Sequence, residues 1–167
     1  MPKQVNSKEY LKTINIFYYT QMSVIVAFGG VALFLILNGN AGEGNPPLAA
    51  TLQTVLIFEF ALSIVGGYLL FRYMTNKIDS TFPLRKKMPK YFGALLMRST
   101  LFEIPALFAA VVAFISVQIS YLGIIPIVFI VFYILRPTPD AIAQDLQLTP
   151  EDRTLLDNPE AIIAETD

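Results

Sequence analysis

From Ile14 to Leu37 the chain carries no Asp, Glu, Lys or Arg, and about 20 apolar residues in a helix are enough to cross the hydrocarbon of a bilayer. Three more apolar blocks follow, Leu48 to Phe71, Tyr91 to Val117 and the shorter Leu122 to Leu135. Backbone polar groups inside lipid must be satisfied within the segment, so such blocks fold as helices. The pattern predicts an all-α polytopic membrane protein with four transmembrane helices in two tandem hairpins, covering residues 1–136. A cytoplasmic tail of short capped helices covers 137–167. A secretory leader is a poor reading of the first block, because Asn38 leads into a Gly/Asn loop and further spans, with no small-residue cleavage site.

The connectors differ in charge. Asn38 to Pro47 (NGNAGEGNPP) is a breaker segment with no base, suited to a turn between two spans. Arg72 to Lys90 holds Arg72, Lys77, Arg85, Lys86, Lys87 and Lys90 against Asp79 alone, whereas Pro137 to Asp167 holds eight acids and only Arg153. Juxtamembrane Lys and Arg mark the cytoplasmic side, so both termini are expected there. Arg85, Lys86, Lys87 and Lys90 are also candidate contacts for anionic lipid or an acidic partner. Basic connector and acidic tail share one side and are expected to dock.

Three helix-start signals punctuate the tail: Thr138-Pro139-Asp140, Thr149-Pro150-Glu151 and Asn158-Pro159-Glu160. Each sets a capping side chain before Pro and an acid in the first turn.

The third block carries Arg98, Glu103 and Pro105 within a membrane-length stretch, and an ionisable group at the bilayer centre costs about 2.5–3.5 kcal/mol on insertion scales. Small residues recur at helical steps in three blocks: Thr20, Ser23, Ala27 and Gly30; Ser63 and Gly66, in line with Glu59; and Ser99, Ala106, Ala110 and Ala113, in line with Glu103. Such stripes are where helices approach closely. Glu59, Glu103, Gln21 and Arg98 are therefore the candidate membrane-embedded polar or ion-binding residues. Glu59 precedes Arg72, and Glu103 follows Lys90, by the same number of residues, which places both about 20 Å along their helices from the cytoplasmic boundary. Facing each other, they would share a proton or hold a cation. Arg98, poorly placed to pair with Glu103, is expected to snorkel to the interface. Pro105 leaves the Leu101 carbonyl without its helical donor, within reach of Glu103.

With no Cys, His or Trp, thiol nucleophiles, imidazole bases and most transition-metal ligation are removed. No cofactor, metal or nucleic-acid partner is expected, and no catalytic set is evident. Two functional expectations remain. In the first, the chain is a non-catalytic accessory or structural subunit of a larger membrane complex, with its acids bonding helices together and lipids, other subunits or further copies of itself as partners. The alternative is a proton- or cation-handling protein that uses Glu59 and Glu103.

The stretch RSTLFEIPALFAAVVAF, a short loop, an apolar span and then RPTPDAIAQDLQLTPED resemble uncharacterised four-span membrane proteins of Bacteroidota. In those proteins the third span has Arg-x4-Glu-x-Pro-Ala, and Arg-Pro with a capped acidic tail follows the last span. The likeness covers Tyr91 to Leu156, and Ile104 stands where those proteins often have Gly. It implies an inner-membrane location and brings no activity. A second likeness, of architecture only, is to proton-carrying rotor subunits of V-type ATPases, also two fused hairpins with a membrane carboxylate. Glu59 fits the position of their acid, on a hairpin's second helix. Glu103 lies on a first helix, and the fourth span has no acid.

Overall fold

A computed structural model of the chain describes residues 3–41 and 43–166. Met1, Pro2 and Asp167 at the ends of the two tails, and Gly42 in the first loop, lie outside them. Among the described residues, strand β1 (Lys3–Asn6) leads into three long helices, α1 (Ser7–Leu37), α2 (Pro46–Asn76) and α3 (Leu84–Ser116). A 3-10 helix (Ile119–Gly123) then runs into α4 (Ile124–Ile134). Two short helices, α5 (Pro139–Asp145) and α6 (Pro150–Asp157), and strand β2 (Ile162–Thr166) complete the order. The chain is helical apart from its loops and one β1–β2 ribbon. Helices α1 to α3 are long and apolar enough to cross a membrane, and a fourth crossing is possible.

Local chemistry accounts for the element ends. The Asn6 side chain accepts from the Glu9 N–H at 2.9 Å, so α1 starts a full two turns before the apolar block does. Asn45 accepts from the Leu48 N–H at 3.1 Å at the start of α2. Thr138 and Thr149 cap α5 and α6, each accepting at 3.2 Å from the N–H three residues on, with Pro following each cap. The third expected helix start does not form. Asn158 accepts from the Glu160 N–H at 3.1 Å and turns the chain into β2, whose β-branched Ile162 and Ile163 suit a strand better than a helix. Between the third and fourth apolar blocks, from Ile119, the backbone winds as a 3-10 helix that lengthens α4.

Contacts divide the chain into two compact units. One comprises Met1–Tyr19, Tyr68–Arg98 and Arg136–Asp167, the other Thr20–Gly67 and Ser99–Leu135. The segment from Arg136 onward belongs to the first unit and is not a unit by itself. It is built together with the N-terminal segment and the ends of α2 and α3.

In the first unit, β1 pairs antiparallel with β2, Val5 opposite Ala164 and Asn6 opposite Ile162. The Ser7 N–H donates to the Ala161 carbonyl at 2.8 Å, and the Ser7 hydroxyl to the Leu156 carbonyl. Tyr10, Ile14, Tyr18, Phe71, Leu84, Met88, Tyr91 and Leu95 are buried there, as are Ile142, Leu146, Leu156, Ile163 and Ala164 from the tail.

In the second unit α1 buries Met22, Ile25, Ala32 and Ile36, while Thr20, Ser23, Ala27 and Gly30 are exposed. The small-residue stripe of α1 is therefore not its packing face. Close approach falls on the neighbouring glycine: a Cβ on Gly29 would collide with the Ile125 side chain, whereas one on Gly30 would meet nothing within 4 Å. Helix α2 repeats the offset, with open space at Gly66 and the Phe102 ring 2.7 Å from a Cβ placed on Gly67. Only in α3 does the expected stripe pack as read, with Ser99, Ala106, Ala110 and Ala113 all buried. Half of the apolar window of α3 is buried, against 22% in α1 and α2, which makes it the best enclosed of the long helices.

Candidate functional site

Two sets of polar groups stand out, one in each unit. In the second unit, Glu59 and Ser63 lie a turn apart on the packed face of α2, and the Ser63 hydroxyl donates to Glu59 Oε1 at 2.7 Å. Glu59 Oε2 is buried without a hydrogen-bond partner. Gln21 of α1 donates through Nε2 to Thr100 Oγ1 of α3 at 3.4 Å, and its Oε1 is buried without a partner. Glu103 follows Thr100 by three residues, so the two share one side of α3. Glu103 is half-buried and makes no hydrogen bond or ion pair among the described residues, to the Leu101 carbonyl or to Glu59. A shared proton would need the two acids to face each other, and among the described residues no hydrogen bond joins them. Gln21, Thr100 and Glu103 make a polar patch in which the Glu103 carboxyl has no hydrogen-bond partner among the described residues.

In the first unit, charge is buried where sequence reasoning expected none. Arg98 is 5% exposed, with its guanidinium carbon 4.0 Å from the centroid of Phe71. It does not snorkel; a delocalised guanidinium stacks on an aromatic face and loses less by burial than an ammonium. Tyr91 is fully buried and its hydroxyl donates to Asp145 Oδ2 at 3.2 Å. Burial pushes the Asp145 carboxyl above the usual aspartate range, opposed by the Tyr91 hydrogen bond and by the charges of Arg98 and Arg72. A group raised in this way favours the folded state most at low pH, and that contribution fades as pH rises through its folded value. Asp145 also lines a polar cavity of about 560 Å³ with Thr75, Asn76, Asp79, Ser80 and Gln147.

No protein-family model, curated protein or solved structure matches the chain. Function must therefore be read from these side chains.

The four connector bases have separate fates. Lys87 is only 2% exposed and its Nζ lies 2.7 Å from Asp152 Oδ2. It is withdrawn from the lipid- or partner-facing role expected of it, because α6 delivers a carboxylate to it. Arg85 donates through Nε to the Ile162 carbonyl at 3.2 Å. Lys86 and Lys90 are exposed and sit over the Phe82 ring. Among the described residues, tail and connector are thus joined by a buried ion pair and a bond to a strand carbonyl, with Arg72 adding charge attraction to Asp145. Sequence reasoning missed Tyr91, Asp145 and Asp152. The available signal was an acid between Ile142 and Leu146 on a short helix with an apolar face.

Among the described residues no three His, Cys, Asp or Glu side chains are grouped to hold a metal. The open chemistry is hydrogen bonding at membrane depth and ammonium groups at the surface.

Proposed function

We propose that this chain is a non-catalytic integral protein of the bacterial inner membrane that serves as an accessory or structural subunit of a larger membrane complex. The observation that carries the reading is the half-buried carboxyl of Glu103, on the same side of α3 as the Gln21–Thr100 bond. A polar group left unsatisfied in hydrocarbon costs several kcal/mol, and the half-buried Glu103 carboxyl has no hydrogen-bond partner among the described residues. A helix of another subunit can supply the missing donors and acceptors.

Four crossings with both ends in the cytoplasm are part of the proposal. Three long helices alone would leave the chain ends on opposite sides of the membrane. Pairing of β1 with β2 supports an arrangement with both ends on one side, and so an even number of crossings. The 3-10 segment and α4 then supply the return, at about 2.0 and 1.5 Å per residue, roughly 27 Å together, close to the roughly 30 Å of hydrocarbon. Placing the ends in the cytoplasm also sets every connector base there, in keeping with the charge bias of membrane loops. Single cysteines test this topology. A membrane-impermeant thiol reagent added outside should label Asn40→Cys and leave Lys86→Cys untouched; the reverse pattern overturns it.

A second reading, proton or cation handling, is favoured by Glu59 Oε2, a buried carboxylate oxygen without a partner. Glu103 separates the two. As a subunit, Glu103→Gln retains a donor and should hold its neighbours through gentle extraction, while Glu103→Leu should weaken retention by about 1 kcal/mol, near fivefold. For ion handling, both variants should abolish flux in vesicles. A Gln variant that assembles normally but loses a measurable proton flux refutes the accessory reading, and a Leu variant without effect removes Glu103 from either scheme.

A further inference from the structure

The bases between Arg72 and Lys90 are not used alike by the first unit. Lys87 is held by Asp152, Arg85 reaches the Ile162 carbonyl, and Arg72 lies within the field of Asp145. Lys77, Lys86 and Lys90 remain exposed; all three ammonium groups stand over aromatic faces, and Lys90 also lies within the field of Asp79. Lys77 Nζ stands 4.2 Å from the Tyr73 ring centroid, and Lys90 and Lys86 stand 4.6 and 6.0 Å from that of Phe82. Among the described residues no tail acid forms an ion pair with them. Asp152 is taken by Lys87, Asp140 and Asp157 by Arg153, and Asp145 by Tyr91. Asp79, the one acid in the stretch, turns Oδ1 to the Thr81 N–H and hydroxyl.

The level of these groups identifies what meets them. Leu69 and Tyr73 on the last turns of α2 are 60% and 57% exposed, and tyrosine favours the boundary between hydrocarbon and headgroups. Lys77 is one turn further, about 6 Å, within a headgroup layer about 5–7 Å deep on each face. We propose that Lys77, Lys86 and Lys90, backed by Tyr73 and Phe82, form a binding surface for anionic phospholipid headgroups. Phosphate oxygens pair with the ammonium groups, and the rings hold the lysine stems at the interface. The inference rests on the membrane orientation proposed above.

The chain has no Trp, so one introduced Trp is a unique reporter. Phe82→Trp keeps an aromatic face under Lys86 and Lys90, and Phe34→Trp, at an exposed position near the far end of α1, reports insertion alone. Each protein is reconstituted in mixed vesicles in which either phosphatidylglycerol or phosphatidylcholine is brominated high on its acyl chains. Quenching at position 82 should favour brominated phosphatidylglycerol by about threefold, decline with added salt and become equal for the two lipids once Lys77, Lys86 and Lys90 are all replaced by Gln. Position 34 should be quenched equally by both. Equal quenching at position 82 in the otherwise native chain, or a preference that survives the Gln replacements, overturns the proposal. Quenching at 34 with none at 82 also overturns it and points to an acidic protein as the ligand. No quenching at 34 would show that the membrane orientation itself had failed.

Discussion

Deleting residues 137–167 is expected to unfold the first unit, not merely to shorten it. The tail contributes Ile142, Leu146, Leu156, Ile163 and Ala164 to the buried interior, and a large apolar side chain fully buried contributes about 1.5–3 kcal/mol. Losing them would uncover Leu84, Met88 and Tyr91, each now at most 3% exposed. It would also strip β1 of its only pairing partner among the described residues and Lys87 of its carboxylate. In detergent, the unfolding midpoint should fall by about 10 °C or more, and amides of Leu84 to Leu95 should exchange far faster. The apolar blocks should still insert, because insertion depends on their hydrophobicity and not on the tail. A truncated protein with unchanged midpoint and protection would show that the tail is an appendage.

What could be read beforehand follows the range of each signal. Apolar length and charge bias are summed over many residues, so the membrane helices were legible, as were the Thr-Pro starts of α5 and α6, whose capping bonds span three residues. The β1–β2 ribbon was not: four residues at one end of the chain pair with five at the other, and neither strand is long enough to announce itself. That ribbon is what ties the tail to α1, so the one feature invisible locally decides how the ends are arranged.

The stripes read on α1 and α2 failed for a different reason. Scoring a helix face by small residues finds where backbones are able to approach, but one residue is a rotation of about 100°, and α1 and α2 each present adjacent glycines. Gly29 and Gly67 lie under Ile125 and Phe102 while Gly30 and Gly66 face open space, a choice made by the bulky residues of the partner helix. Arg98 was misread because its distance from Glu103 was considered and its aromatic neighbour Phe71, on another helix, was not. Asp145 and Asp152 were read as part of a charge excess; two of those acids enter the interior because each finds a specific donor there, Tyr91 and Lys87.

Neutralising Asp152 alone should be the most damaging single conservative change in the first unit. Lys87 is 2% exposed and Asp152 15%, so Asp152→Asn leaves an ammonium buried with an amide in place of a charge, and breaking a buried pair in this way costs about 3–5 kcal/mol. Lys87→Glu should be worse still, by placing two carboxylates together. Lys86→Glu, one residue away, should do little to stability, because Lys86 is exposed and rests on Phe82 without an ion pair. Replacing both partners with apolar residues of similar size, Lys87→Met with Asp152→Leu, should recover most of the loss, since the cost lies in the orphaned charge and not in the absence of the bond. The comparison is made by denaturant titration of the purified protein, scoring protease resistance of the tail in parallel. Equal effects of Lys86→Glu and Lys87→Glu would mean that tail and connector attract only as diffuse charges. Failure of the apolar pair to recover stability would mean that the ion pair supplies something burial cannot, such as the register that aligns α6 with the start of α3.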